Sequence, residues 1–162
     1  MSDPASAFHS HDHSTCASEA LTRAEDICRE AGARLTPVRR RALEILLEEH
    51  RAMGAYDVLE RLAEDGFGSQ PPVAYRALEF LVDQGLAHRI RRLNAFTACT
   101  TQGCDHAPAF FICRVCKSVA EIPAQSLRTK IDEAGAKLGF AVERANVEAL
   151  GLCPSCQNEA AA

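Results

Sequence analysis

The chain lacks any apolar run approaching the roughly 20 residues that cross a bilayer, so no membrane-spanning helix is expected. Its first residues, MSDPASAFHSHDH, have neither a basic start nor an apolar core, which argues against a secretory leader. These absences predict a cytoplasmic protein. A net positive charge is also missing: 18 Lys and Arg stand against 22 Asp and Glu, a formal −4. That sum excludes only a uniformly basic surface, because a basic face can sit inside an acidic chain. What is present, 162 residues at 47% hydrophobic content, suffices for one or two compact domains.

From Ser14 or Thr15 to Gly32, Ala20, Ala24, Ile27 and Ala31 recur at helical spacing, and the glycine suits a helix end. A second helix takes Thr36 as N-cap and Pro37 in its first turn, with Leu43, Leu46 and Leu47 on one stripe. Arg39, Arg40 and Arg41 lie near its positive end. A third helix, AYDVLERLAEDG, closes near Gly66. The fourth, PPVAYRALEFLVDQG, starts on prolines, lines up Val73, Ala77, Leu78, Leu81 and Val82, and stops at Gly85. LAHRIRRLNAFTAC then reads as two extended segments around Leu93-Asn94, with Ile90, Phe96 and Ala98 apolar. Helices followed by a basic hairpin predict a winged helix-turn-helix. Arg34, Arg39, Arg40, Arg41, Arg76, Arg89, Arg91 and Arg92 gather where DNA phosphates would need contacts; the competing reading is a solvated surface.

Beyond Cys99 the pattern changes. TTQGCDHAP reads as a linker, AFFIC and VAEIP as strands, and FAVERANVEALGLC as extended chain. AQSLRTKIDEAGAKLG reads as an amphipathic helix with Leu127, Ile131, Ala134 and Leu138 inward. The expected fold is α+β: a tail over 1–14, a winged-helix domain over 15–99, a hinge over 100–108, a small α/β unit with a three-stranded sheet over 109–157, and a tail over 158–162. A unit of about 55 residues has little core and needs a staple.

The cysteines supply one. Cys113 and Cys116 in FICRVCK, and Cys153 and Cys156 in GLCPSCQ, form two Cys-x-x-Cys knuckles beside the strands. In a reducing compartment such pairs read as metal ligands or redox centres before disulfides. Four thiolates in two knuckles match a closed tetrahedral zinc site, and a strand-helix-strand accounts for the long spacer. A redox pair needs an activated cysteine at a helix start in a thioredoxin-like unit, a setting neither CRVC nor CPSC has. A zinc-dependent hydrolase or deaminase is a remote alternative. No His-x-Glu stands upstream and the proline lies inside CPSC, so no enzyme and no small-molecule substrate are expected.

LTPVRRRALEIL, AYDVL, VAYRALEFLVDQGLAHRI, FTAC, a histidine seven before CRVC, and GLCPSC together resemble the ferric uptake regulator family of metal-responsive repressors, over about residues 20–157. The likeness is closest to the branch that regulates zinc uptake. The resemblance implies an N-terminal winged-helix DNA-binding domain and a C-terminal dimerisation domain. It also implies two zinc ions per chain, one structural at Cys113, Cys116, Cys153 and Cys156, one regulatory. Matched to the family's motifs, the regulatory ligands are His88, Cys99, His106 and Glu121. The implied partners are a second copy and double-stranded DNA with an inverted repeat, with Tyr56 and Arg76 at the bases and Tyr75, Arg39 and Arg40 as further contacts. Zinc would favour the DNA-binding arrangement and so repress zinc-acquisition genes; an iron- or peroxide-responsive repressor of the same family is the alternative.

Imidazole, thiolate and carboxylate suit tetrahedral zinc, whereas iron or manganese sensors favour nitrogen and oxygen, so Cys99 names the metal. His88 precedes the hinge while His106 and Glu121 follow it, so one ion would tie the domains together. Each residue also has a bland reading: His88 on a phosphate, Glu121 a strand-end charge, Cys99 a small buried hydrophobe. The chain departs from the family in places. It has no His-rich run before the first knuckle, which weakens an iron reading, and Cys104 competes with Cys99 as thiolate donor. VAYR replaces TVYR, so Ala74 lacks a hydroxyl suited to a phosphate. His9, His11, His13 and Cys16 read as a disordered tail with incidental metal affinity rather than a zinc-collecting arm.

Overall fold

The computed structural model describes residues 13–48, 51–102 and 108–160. His9, His11, Cys104 and His106 lie outside the described residues, as do the side chains of His13 and Cys16. Helix α1 (His13–Glu30) buries Leu21, Ala24 and Cys28, so its stripe runs through Leu21 and Cys28 while Ala31 is exposed. Gly32 follows at φ 66°, the left-handed position that the sequence assigns to it. In α2 (Pro37–Glu48) the Arg40 amide donates to the Thr36 carbonyl at 2.9 Å, which fixes the predicted start. Leu43, Ile45 and Leu46 are fully buried, each worth roughly 1.5–3 kcal/mol, and Leu47 is half-buried.

A two-residue strand β1 (Met53–Gly54) leads into α3 (Ala55–Glu64), whose start is held by the Gly54 amide donating to Asp57 at 3.0 Å. Helix α4 (Pro71–Asp83) buries Ala74, Ala77, Leu78 and Leu81, while Val73 and Val82 are half-buried. Ala74 is fully buried, which corrects its expected place: matched to TVYR, the hydroxyl position is the half-buried Val73, and Ala74 stands in the core. Gly85, at φ 68°, lets Leu86 donate back to the Leu81 carbonyl at 2.8 Å. The chain is thereby turned straight into β2 (Ala87–Ile90), which carries His88. Strand β3 (Ala95–Ala98) pairs antiparallel with β2, and Asn94 takes the left-handed turn position at φ 47°. The first sheet has the order β1-β3-β2.

The second unit opens on β4 (Pro108–Cys113), so Pro108 belongs to a strand and not to the linker. It continues through β5 (Val119–Pro123), α5 (Gln125–Lys137) and β6 (Val147–Gly151) in a sheet ordered β5-β4-β6, with β6 parallel to β4. Helix α6 (Pro154–Ala160) runs into the stretch expected to be a tail. The reading of α5 needs correction. Only Gly135 is buried on it, while Leu127 is 43% and Leu138 84% exposed, Ala134 is exposed and Ile131 half-buried. The amphipathic pattern is real, but its apolar side is not covered within one chain.

The wing rests on this second sheet. Ile90 packs with Phe110, Ile112 and Val119, flanked by Ala52 and Leu93, and the Ala52 amide donates to the Lys117 carbonyl at 3.2 Å. No helix among the described residues is long and apolar enough to cross a membrane.

Candidate metal centres and nucleic-acid interface

The first knuckle is a tight turn at the end of β4. The Cys113 amide donates to the Ser118 carbonyl at 2.9 Å, and Lys117 turns at φ 63°. The Arg114 amide reaches the Gly151 carbonyl at 2.9 Å, which sets the end of β6 and the second knuckle beside the first. The sulfurs of Cys113, Cys116, Cys153 and Cys156 lie within 4.8 Å of one another, with Cys116 and Cys153 at 3.7 Å. Burial pushes the Cys113 thiol up, but amides of Cys153, Cys116 and Val115 aimed at its sulfur win and bring it to about 6. Cys156 donates to Cys153 and is partly buried near the Cys113 charge, which drives it up to about 12. A cluster that ionises one thiol and resists ionising the next fits a cation that would stabilise all four thiolates.

The second cluster joins the two units. His88 lies on β2 with its ring 5.2 Å from Phe110, and Cys99 extends the hairpin by donating its amide to the Leu86 carbonyl at 3.0 Å. Glu121 approaches from β5 with its side chain only 4% exposed. One carboxylate oxygen lies 3.1 Å from His88 Nε2 and 3.8 Å from Cys99 Sγ. The other accepts from the Thr100 amide at 2.9 Å and the Thr100 hydroxyl at 3.1 Å. Burial first, then the Glu121 charge, pushes the Cys99 thiol up to about 12. All three donors fall within 4.8 Å of one another. A buried thiol and carboxylate side by side suit a divalent ion, which inverts the penalty on the thiolate. Three of the four expected regulatory residues are thus brought together. Sequence reasoning missed Thr100, whose position in an ordinary polar hinge carries no signal of its own.

Tyr56, 66% exposed on α3, meets Tyr75 of α4 edge-on with ring centres 6.4 Å apart, and Arg76, next to Tyr75 in sequence, is exposed. Arg39 lies 3.7 Å over the Phe80 ring, one helical turn along α4 from Arg76. Arg40 is engaged by Glu25 and by Glu44 at 3.1 Å, so it stands within an ion-pair network rather than with this group.

A winged helix-turn-helix whose wing rests on a small sheet, with donor clusters at the knuckles and across the hinge, defines a metal-sensing DNA-binding regulator. The chain belongs to the ferric uptake regulator family, whose sequence profile matches residues 30–150. It is 37% identical over 143 residues to the zinc uptake regulation protein of Escherichia coli (strain K12), spanning 88% of this chain and 84% of that protein. It superposes with a TM-score of 0.84 on a zinc uptake regulator complexed with zinc and DNA, at 36% identity over 90% of this chain and 98% of that one. Against XcZur, at 32% identity, the TM-score is 0.77 for the holo form, over 85% of this chain and 96% of that one. For the apo form it is 0.51, over 88% and 99%. The chain thus superposes better on the holo form than on the apo form.

Proposed function

We propose that the protein is a zinc-responsive repressor that binds an inverted-repeat operator as a homodimer when zinc-loaded and silences zinc-uptake genes. It is a DNA-binding regulator and not an enzyme, acting in the cytoplasm. The observation that carries this reading is the meeting of His88 and Cys99 with Glu121 across the hinge, within 4.8 Å.

Two zinc ions per chain are assigned. The structural site is Cys113, Cys116, Cys153 and Cys156; the regulatory site is His88, Cys99 and Glu121, with His106 as the fourth donor. Zinc held by these donors would supply a divalent charge that stabilises their thiolates. The chain's own residues do the rest. Thr100 aims the Glu121 carboxylate, and Phe110 supports the His88 ring. Closing the hinge fixes the wing against the second sheet and sets where α4 stands on the DNA. There Arg76 suits a bidentate grip on guanine, Tyr56 reads beside it, and Tyr75 and Arg39 stand as backbone contacts, whereas Arg40 is held by Glu25 and Glu44. The domain limits assigned are those expected from the sequence, 15–99 for the winged helix and a second unit ending at 157, except that Pro108 passes from the hinge to the second unit, where β4 begins. A second copy covers the apolar surface of the last of these, where Phe111, Leu127, Leu138 and Phe140 are exposed.

The test is operator binding by the purified dimer across a panel of inverted repeats with zinc, iron or manganese. Zinc should tighten binding by roughly 5- to 150-fold, the usual range of such coupling, and the other metals far less. Equal or stronger tightening by iron would overturn the zinc assignment.

A further inference from the structure

Across the second sheet, Phe110 of β4 is paired with Glu121 of β5 on one side and with Glu148 of β6 on the other. Directly paired residues share a face, so these three side chains form one row on the side that meets the wing. The row holds the wing at two places, on β2 and in the turn after it. Glu121 and Phe110 meet His88, as described above. Glu148 takes the far end: its carboxylate accepts the Arg91 amide at 2.8 Å on one oxygen and the Arg92 amide at 3.0 Å on the other. Asn146 donates to the first of those oxygens at 2.8 Å.

A carboxylate bridging two successive amides makes charge-assisted bonds, stronger than neutral ones. Its ionised form is favoured here. Burial pushes the Glu148 carboxyl up, but Asn146 and the two amides outweigh it and hold it below the usual carboxylate range. Arg91 and Arg92 precede the hinge and Glu148 follows it, 57 and 56 residues along the chain. The two amide bonds therefore exist only while the wing lies on the sheet, whereas the Asn146 bond is local and survives its departure.

We infer that Glu148 is a wing latch, a positioning residue that holds the Arg91-Arg92 backbone on the second sheet without using metal and so sets how much zinc the DNA-binding arrangement requires. This rests on the zinc-repressor reading above. By linkage, any bond made only in the closed arrangement raises the affinity of every ligand that selects that arrangement. With β2 held at the His88 cluster and the turn that follows it at Glu148, the wing is tied to the sheet at two points, and Arg91 and Arg92 are exposed.

The experiment compares the full-length parent with Glu148→Gln, which keeps size but loses charge and one acceptor, and Glu148→Asp, which keeps the charge. Amide exchange at residues 91–92 and zinc titration of the regulatory site are read without DNA; operator binding is read across zinc concentrations. In Glu148→Gln we expect faster exchange at 91–92, and roughly tenfold more zinc for half-maximal binding both of the site and of the operator. Dimer mass and the tightly held zinc should be unchanged, and Glu148→Asp should recover part of the response. An unchanged zinc requirement with unchanged exchange overturns the latch. So does loss of the dimer or of the tightly held zinc in both variants, which would make Glu148 a residue of the fold. If the parent's operator binding is indifferent to zinc, the repressor reading fails instead, and the exchange and titration without DNA still decide the latch.

Discussion

Cys99 is 2% exposed, next to a carboxylate, in a place where an ionised sulfur is costly without a cation. That cost favours the proposed role of metal ligand over that of a small hydrophobe. We expect Cys99→Ser to retain about one zinc per chain at the closed four-cysteine site, which holds its ion tightly. Operator binding should no longer respond to added zinc. Substitutions that only orient a ligand cost about 10–100-fold in affinity, and loss of the ligand itself should cost at least the upper figure. Cys104→Ser, at the rival thiol, should respond nearly as the parent does. Zinc content, mass and operator binding on both variants decide it: a normal response in Cys99→Ser with a lost one in Cys104→Ser reverses the assignment.

Among the elements, the two knuckles carry the second unit. Its sheet has a small buried set, and α5 buries only Gly135, so little else holds it closed. A structural zinc site supplies on the order of 10–16 kcal/mol in small peptides, comparable to the roughly 5–15 kcal/mol of a whole domain. Cys113→Ser or Cys153→Ser should therefore release the tightly held zinc and unfold or monomerise this unit, seen in zinc content, melting and mass. An unchanged dimer melting as the parent does, with its zinc, would refute the staple. The four helices of the first domain were legible in the sequence because apolar periods agree with proline starts at α2 and α4 and with glycine stops at Gly32, Gly66 and Gly85. Strand β1 was not, since two residues have no period, and its pairing of Met53 with Phe96 is long-range. The direction of α5 was misread for a physical reason: periodicity shows that a helix has an apolar face, not which chain covers it. His88, Cys99 and Glu121 became legible as a set only through the family resemblance, because the fold brings them together from separate strands. Glu148 had no signal, being one acidic residue in an extended segment.

For the whole molecule, the difficulty is charge: a chain of formal net charge −4, doubled in a dimer, must approach a polyanion. The answer lies in which arginines are engaged. Arg40, Arg41 and Arg61 pair with Glu25, Glu44, Glu48 and Asp65 around α2, and so add little to an external field. Among the exposed arginines, Arg76, Arg89, Arg91 and Arg92 lie together on α4 and the wing, a basic face carried in an acidic body. Two kinds of contact should then separate cleanly. Each phosphate contact contributes about 0.9 to the slope of log affinity against log salt, so Arg91→Ala, present twice in the dimer, should lower that slope by about two. Its preference among operator sequences should be unchanged, because phosphates carry no sequence information. Arg76→Ala should instead relax discrimination at one base position per half-site by about 1–3 kcal/mol. Binding isotherms for both variants on the operator and on single-base variants, from low to high salt, provide the measurement. If Arg91→Ala changes base preference while leaving the slope intact, the wing reads bases, and its assignment to the phosphate backbone is wrong.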